Sequence, residues 1–310
     1  MTRRPTVRHR LEYFLVRGVQ GLERVLGSAL AGGLMAAAAR LAYRPAGIRR
    51  DVVESHLRRA FPDREERWIR RTAAASYAHL GREGLSLLRL YRLGRADVLG
   101  ETRVVEGLDA IREAVASGRG AVVVTGHFGN WEIGGAAVAA RGIPLDVVVQ
   151  RQANPLFDRL INDARARLGM RVIYRGRATR EALRALRRGR VVAFVADQDA
   201  REAGIFVPFF GTPASTFRGP AVLALRSGAP VFIGTAVRGP DGRHEVRLRP
   251  IPLPPPGDPE ERAAALTAAH VGALEEVIRA APEQYFWHHR RWKTAPGPPS
   301  RGERGGGPVV

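Results

Sequence analysis

Cysteine is absent from the 310-residue chain, which removes disulfides, thiolate metal sites and thiolate nucleophiles together. That absence suits a reducing compartment. Lysine is nearly absent as well: Lys293 is the only one, so the basic side chains are arginines. Arginine in place of lysine leaves the charge unchanged, yet base outweighs acid by a formal net charge of +20. Three partners fit such an excess: nucleic acid, an anionic membrane, or an acidic protein or phosphorylated substrate. Aromatic residues are few, at 7%, and are not interleaved with the arginines. No nucleic-acid-binding module is recognisable, so no nucleic acid is expected as a partner. No internal repeat is found. A long apolar run is also missing. Between Arg24 and Arg40 lie 15 uncharged residues, many weakly apolar, short of the roughly 20 that a membrane-spanning helix needs. No small-residue cleavage site marks a secretory signal.

What the N-terminus does have is amphipathic. Residues 1–10 are basic and expected to fray. Residues 11–26 carry Leu11, Phe14, Leu15, Val19, Leu22 and Val25 at helical spacing, with Arg17 and Arg24 between, which predicts a helix with a basic polar face. Residues 26–43 are rich in alanine and glycine. Two readings fit the pair: a helical hairpin in the membrane interface, favoured by the basic flanks, or an ordinary buried helix pair. A third helix is expected over 47–60, where His56 reads as structural. Pro62-Asp63 opens a fourth, with Glu66 as the capping partner of Asp63. It runs to about residue 93 as the longest helix, and Glu83 on it reads as a partly exposed helix acid.

From Val104 the texture changes. Strands are expected at 121–124, 145–149, 171–174, 191–196, 231–236 and 245–249, with helices near 131–140, 155–168, 178–188 and 217–227 between most of them. Alternation of this kind implies an α/β fold, a mostly parallel central sheet flanked by helices with right-handed crossovers. Residues 250–259 are a proline-rich loop and 259–281 one more amphipathic helix. Three regions follow: membrane-associating helices at 1–45, an α/β domain at 46–294, and a Gly/Pro/Arg-rich tail at 295–310 expected to be disordered.

The stretch Thr125-Gly126-His127-Phe128-Gly129-Asn130-Trp131-Glu132 joins a buried strand to a helix, and strand ends of an open α/β sheet are where ligands bind. An imidazole takes a proton from a hydroxyl when a carboxylate fixes its tautomer. His127 is therefore the candidate base and Glu132, five residues on across a glycine turn, its orienting acid. The plainer alternative is a loop histidine and a glutamate favoured by the helix dipole. The coincidence of strand, glycines and carboxylate weighs towards catalysis. Backbone amides around Gly129, Asn130 and Trp131, or an arginine, are the candidate oxyanion donors. Arg151 at a strand end, beside Gln150, Gln152 and Asn154, suits an anionic ligand. Asp158, Arg159, Asp163 and Arg165 follow on one helix, where surface ion pairs are the plain reading. Asp197 and Asp199 flank Gln198 at another strand end and suit hydrogen bonding better than metal. Phe206–Phe210, broken by Pro208, is a poor central strand; an acyl-chain wall accounts for it, and so does ordinary core. His288 and His289, being adjacent, are not expected to share one ion; stacking of the neighbouring arginines on Trp287 or Trp292 is expected instead.

Gly126-His127-Phe128-Gly129-Asn130-Trp131-Glu132 resembles the His-x4-Glu/Asp motif of glycerolipid and lysophospholipid acyltransferases. The likeness is nearest the branch holding the lipid A biosynthesis acyltransferases and the mycobacterial phosphatidylinositol mannoside acyltransferases. The block from Asp197-Gln198-Asp199 to Phe206-Val207-Pro208-Phe209-Phe210-Gly211 and the terminal Pro282–Lys293 block extend the likeness over roughly residues 9–294. The resemblance implies substrate roles for Arg165, with Arg151 and Asn154 as helpers, for Asp197, Gln198 and Asp199, and for Phe209 on an acyl-chain wall. It implies an O-acyltransferase at the cytoplasmic face of the bacterial inner membrane. The acyl group would pass from an acyl carrier protein or coenzyme A thioester to a hydroxyl of a glycolipid, foremost a lipid A precursor. No resident cofactor is implied. A phosphatidylinositol mannoside-type acyltransferase, a membrane-bound esterase or thioesterase, and a basic nucleic-acid-binding protein are the alternatives.

Overall fold

The computed structural model describes residues 4–296, the side chain of Arg177 excepted; the expected tail lies outside them from residue 297 on. Four helices come first, α1 (Val7–Leu26), α2 (Ser28–Tyr43), α3 (Arg50–Ala60) and α4 (Glu66–Leu90). Then α5 (Arg95–Glu101) leads into β1 (Thr102–Glu106), and α6 (Leu108–Ala116) into β2 (Ala121–Thr125). Regular alternation follows through α7 (Trp131–Ala140), β3 (Leu145–Val149), α8 (Pro155–Arg167), β4 (Met170–Tyr174), α9 (Ala178–Leu186) and β5 (Val191–Val195). A hairpin of β6 (Ile205–Phe209) and β7 (Thr212–Thr216) precedes α10 (Gly219–Ser227), β8 (Val231–Arg238), β9 (His244–Ile251) and α11 (Pro259–Ala280).

Among the described residues the main sheet has the order β1-β9-β8-β2-β5-β3-β4. Every pairing is parallel except β8 with β9, so the expected α/β class with its mostly parallel sheet is what the chain adopts. β2 is central and buried on both faces, which is why it reads as an unbroken apolar run. Its side chains alternate between two cores. Val122 and Val124 join the core beneath α9, α10 and α11, whereas Ala121 and Val123 join the core beneath α7. β2 lies between β8 and β5, and its register with β5 runs from Ala121 opposite Val191 to Thr125 opposite Val195.

Three expectations change. Thr6 caps α1 through a reciprocal bond with His9, so the helix starts at Val7 where fraying was expected. The capping pair of Asp63 and Glu66 does not form: α4 starts after Glu65 with no side-chain cap, and Glu66 accepts from Arg58. The apolar segment around Pro208 is a strand after all, in a two-stranded antiparallel hairpin outside the main sheet, where a missing N–H costs no central ladder bond.

The first helix is turned inside out. Its buried residues are Gln20 and Glu23; Gln20 donates to the Leu88 carbonyl of α4, and Glu23 pairs with Arg89 at 3.0 Å and with Arg92. Leu11, Phe14, Leu15, Leu22 and Val25 face outward, with Val25 82% exposed. On α2, Leu30, Leu34 and Leu41 are exposed while Ala31, Ala36 and Tyr43 are buried. The pair is therefore not an ordinary buried one. Among the described residues no helix is long and apolar enough to cross a membrane. α2 lies against α4 at Gly81, where a Cβ would strike the Met35 carbonyl and stand 3.0 Å from the Ala39 Cβ. Gly81→Val should therefore lower stability by about 1–3 kcal/mol, as overpacking does. A urea midpoint unchanged from wild type would contradict this packing.

Candidate active site

A cavity of about 790 Å³ opens at the carboxyl ends of β2, β3 and β5. His127 lines it, two residues beyond the end of β2. Two residues beyond the end of β5 stands Asp197, so the β2–β5 register carried past both strand ends sets one opposite the other. The contact is double: the His127 backbone amide donates to Asp197 Oδ2 at 2.8 Å, and His127 Nδ1 lies 2.7 Å from Asp197 Oδ1. Trp131 packs edge-on against the imidazole at 4.6 Å between ring centroids. With Nδ1 committed, Nε2 is left on the cavity side, 3.4 Å from Gln198 Nε2.

Burial opposes charging the imidazole, but the charge and hydrogen bond of Asp197 outweigh it and raise the His127 pKa above its ordinary value. Burial likewise opposes ionising Asp197; the charge of His127, its two hydrogen bonds and the more distant Arg291 outweigh it and lower that pKa. Arg291 is 2% exposed, donates to the Ser215 carbonyl at 2.6 Å and lies over the Phe209 ring.

The orienting carboxylate of His127 is thus Asp197, and the expected role of Glu132 is corrected. Glu132 sits in the first turn of α7 on the cavity wall and accepts the Arg165 guanidinium in a two-point pair, with Nε at 3.1 Å. Arg165 is also bonded to Asn162 and meets neither Asp197 nor Asp199. The helix places Arg165 inward, and Arg167, which donates to the Tyr91 carbonyl, on the exposed side. Arg151 stands at the rim, stacked over Tyr174 at 4.2 Å, and Arg175 beside it stacks over Phe217 at 4.5 Å.

Four other expected site residues lie elsewhere or are otherwise occupied. Asn154 caps α8 and donates to Glu12 and the His9 carbonyl of α1, so it docks a helix and does not reach the cavity. Asp199 accepts from Thr294, and its amide donates to His289 Nε2. Phe209 is 1% exposed, between Phe210, Tyr285 and Trp292, so it is core and not an acyl-chain wall. The amides of Gly129 and Asn130 donate to the carbonyls of Gln284 and Ala236, which removes both as oxyanion donors. Among the described residues no acceptor takes the amide of Trp131 at the first position of α7. Gly129 has φ +57, and a Cβ there would overlap the Ala236 carbonyl, so glycine is what lets the turn pass so close to β8.

Sequence reasoning missed the support beneath this turn. Glu83 is buried, not partly exposed: it receives Asn130 Nδ2 at 2.8 Å, approaches His244 Nε2 at 3.1 Å and pairs with Arg238. Burial opposes its ionisation, but His244 and Arg238 outweigh that and hold its carboxyl well below the usual range. Its placement among leucines on α4 was the only available signal. In the terminal block the arginines do not stack on tryptophan; Arg59, from α3, lies over Trp292.

Residues 1–294 match the family described as bacterial lipid A biosynthesis acyltransferase. The chain is similar to the lipid A biosynthesis lauroyltransferase of Escherichia coli (strain K12), 32% identical over 271 residues, or 84% of this chain and 85% of that protein. It is 31% identical over 256 residues to the lipid A biosynthesis palmitoleoyltransferase of the same organism, 80% of each chain. It is also 31% identical over 220 residues to the phosphatidylinositol mannoside acyltransferase of Mycolicibacterium smegmatis, covering 68% of this chain and 70% of that one.

The His127 titration tests the geometry directly. Followed by NMR, its pKa should lie above 6.5 in the wild type. It should fall below that in Asp197→Asn, where burial is no longer outweighed. An unchanged pKa in Asp197→Asn, with the fold intact, would mean that the pair does not form in solution.

Proposed function

Because the chain belongs to the bacterial lipid A biosynthesis acyltransferase family and is an acyltransferase, we propose that it carries a fatty acyl group from an acyl carrier protein or coenzyme A thioester to a hydroxyl of a lipid A precursor. His127 is the general base. Its Nε2 takes the hydroxyl proton while Nδ1 stays bonded to Asp197, which stabilises the imidazolium as it forms. The hydroxyl oxygen bonds to the thioester carbonyl carbon. When the tetrahedral intermediate collapses, the carbon–sulfur bond breaks and the departing sulfur takes the proton from Nε2. No acyl-enzyme is needed. The free Trp131 amide, at the positive end of α7, and the Gln198 carboxamide are the donors assigned to the oxyanion. Glu132 and Arg165 hold the wall as a pair, and Arg151 meets an anionic group of a substrate at the rim.

The observation that carries this reading is the juxtaposition of an Asp-bonded histidine, its second nitrogen facing inward, with a cavity whose deeper walls are apolar. A phosphatidylinositol mannoside-type acceptor is the second reading, favoured by the similarity to the Mycolicibacterium smegmatis protein. Lipid mass spectrometry of a deletion strain, with and without the gene restored, decides the acceptor. Hydrolysis of the thioester without transfer would convert the reading to a thioesterase.

The outward apolar face of α1 and α2 is read as the membrane contact, lying in the interface of the bacterial inner membrane on its cytoplasmic side, drawn there also by the net charge of +20. These helices, residues 1–45, serve the α/β domain at 46–294 as its anchor.

Three outcomes check the proposal. His127→Ala should stay folded and transfer no acyl group, and Asp197→Asn should lose about 10²–10⁴-fold in rate, the scale of general base catalysis. In the wild type kcat/KM should fall as pH drops through an apparent pKa above 6.5, since the protonated ring cannot accept the hydroxyl proton. Replacing Phe14 and Leu15 by aspartate should release the protein from anionic vesicles in a flotation assay and leave the fold intact, because both side chains already face solvent. Retained flotation would move the membrane contact elsewhere.

A further inference from the structure

The charged lining of the cavity is confined to its mouth. His127, Glu132, Arg151, Arg165 and Arg175 all lie at or beyond the carboxyl ends of strands or on the adjoining helices. Below them the cavity continues between α7 and the sheet, walled by side chains such as Val123, Val138, Val147 and Leu248. β3 gives its depth, because both Val149 and Leu145, the two ends of that strand, line it. Four residue steps at about 3.3 Å make the channel roughly 13 Å deep below the strand ends.

At the bottom the walls converge on one helical position. A Cβ built on Gly135 of α7 would stand 3.3 Å from Met170 Sδ and 3.6 Å from Leu145 Cδ2. Met170 opens β4, Leu145 opens β3, and they are 3% and 2% exposed. The channel thus has an apolar end with no polar group in it, held by a flexible thioether and kept from closing higher by the absence of a side chain on Gly135. We infer that Gly135 and Met170 form the floor of the acyl channel and set the length of the acyl chain the protein accepts, at about 10–14 carbons. The figure follows from about 1.3 Å of extended chain per carbon, given the C–C bond length and its near-tetrahedral angle. About ten carbons fit below the strand ends, and a few more span the gap up to His127. This inference rests on the acyl-transfer reading for what fills the channel.

The test uses two readouts. The first is transfer by the full-length protein from acyl thioesters of about 8 to 18 carbons. The second is direct binding of alkyl chains of the same lengths as thioether analogues, which needs no turnover. Gly135→Leu places four carbons in the floor and should shorten the preferred chain by about two to four carbons in both assays. Met170→Ala empties the floor and should lengthen it by about two. Gly135→Ala, a substitution that favours the helix by about 1 kcal/mol, keeps the test open if Gly135→Leu does not fold, with a smaller shift in the same direction. A wild type that prefers about 18 carbons, or variants whose length profile matches the wild type in the binding assay, would overturn the floor while leaving acyl transfer intact. Absence of transfer by the wild type, with chain binding that shifts as described, would instead sink the acyl-transfer reading and keep the floor.

Discussion

The hydrogen bond between His127 and Asp197 depends on a single parallel register. β2 and β5 are paired with an offset of 70 residues, and the same offset separates the two side chains. Shifting that register by one residue would turn every side chain to the opposite face, and both apolar cores claim their own residues of β2. The packing of Val122, Val123 and Val124 therefore fixes where the imidazole meets its carboxylate. Glu132 lacks that advantage. It is close to His127 in sequence, but Asn130 caps α7 immediately before it, and the helix carries the side chain along the cavity wall to Arg165.

A buried carboxylate requires compensation, and much of it comes from the end of the chain. Phe286 donates its amide to the His127 carbonyl, and Phe128 bridges to Tyr285. The segment then delivers Arg291 beneath Phe209 and towards Asp197. The histidines of this block fit the same closing role: His288 stacks on Phe286 with ring centroids 5.1 Å apart, and His289 receives the Asp199 amide. On the other side Glu83, Arg238 and His244 brace Asn130. The turn holding His127 is pinned from below and above by groups far away in sequence.

That separation explains what the sequence disclosed. The central strands were legible because burial on both faces demands apolar runs, and the helices between them because of their period. β1 was not, since its burial is confined to Thr102 and the rest of the strand is half-buried or exposed. His127 was legible from its place at a strand end. Its partner was not, because strand order is a property of the whole sheet: β5 is fifth in the chain yet lies directly beside β2. Reading the near carboxylate as the partner was a local answer to a non-local question. Phe209 failed similarly, since an apolar residue near a site and one in the core have the same composition.

The inward polar face of α1 also ties the membrane side of the molecule to the reaction side. Asn154 caps α8 with its side-chain oxygen while its Nδ2 holds the His9 carbonyl and Glu12 of α1. The same helix presents Arg165 to Glu132 on the cavity wall. One rigid element is thus bonded to the apolar-faced helix at its first turn and to the cavity at its last. A chain whose acyl substrates partition into lipid needs the cavity mouth held at a set height above the bilayer. Burying Gln20 and Glu23 in ion pairs and hydrogen bonds, where leucines would ordinarily go, fixes the rotation of α1 and leaves its leucines for the lipid. The polar contacts give α1 one orientation, because directional bonds specify a register that nonspecific apolar burial does not.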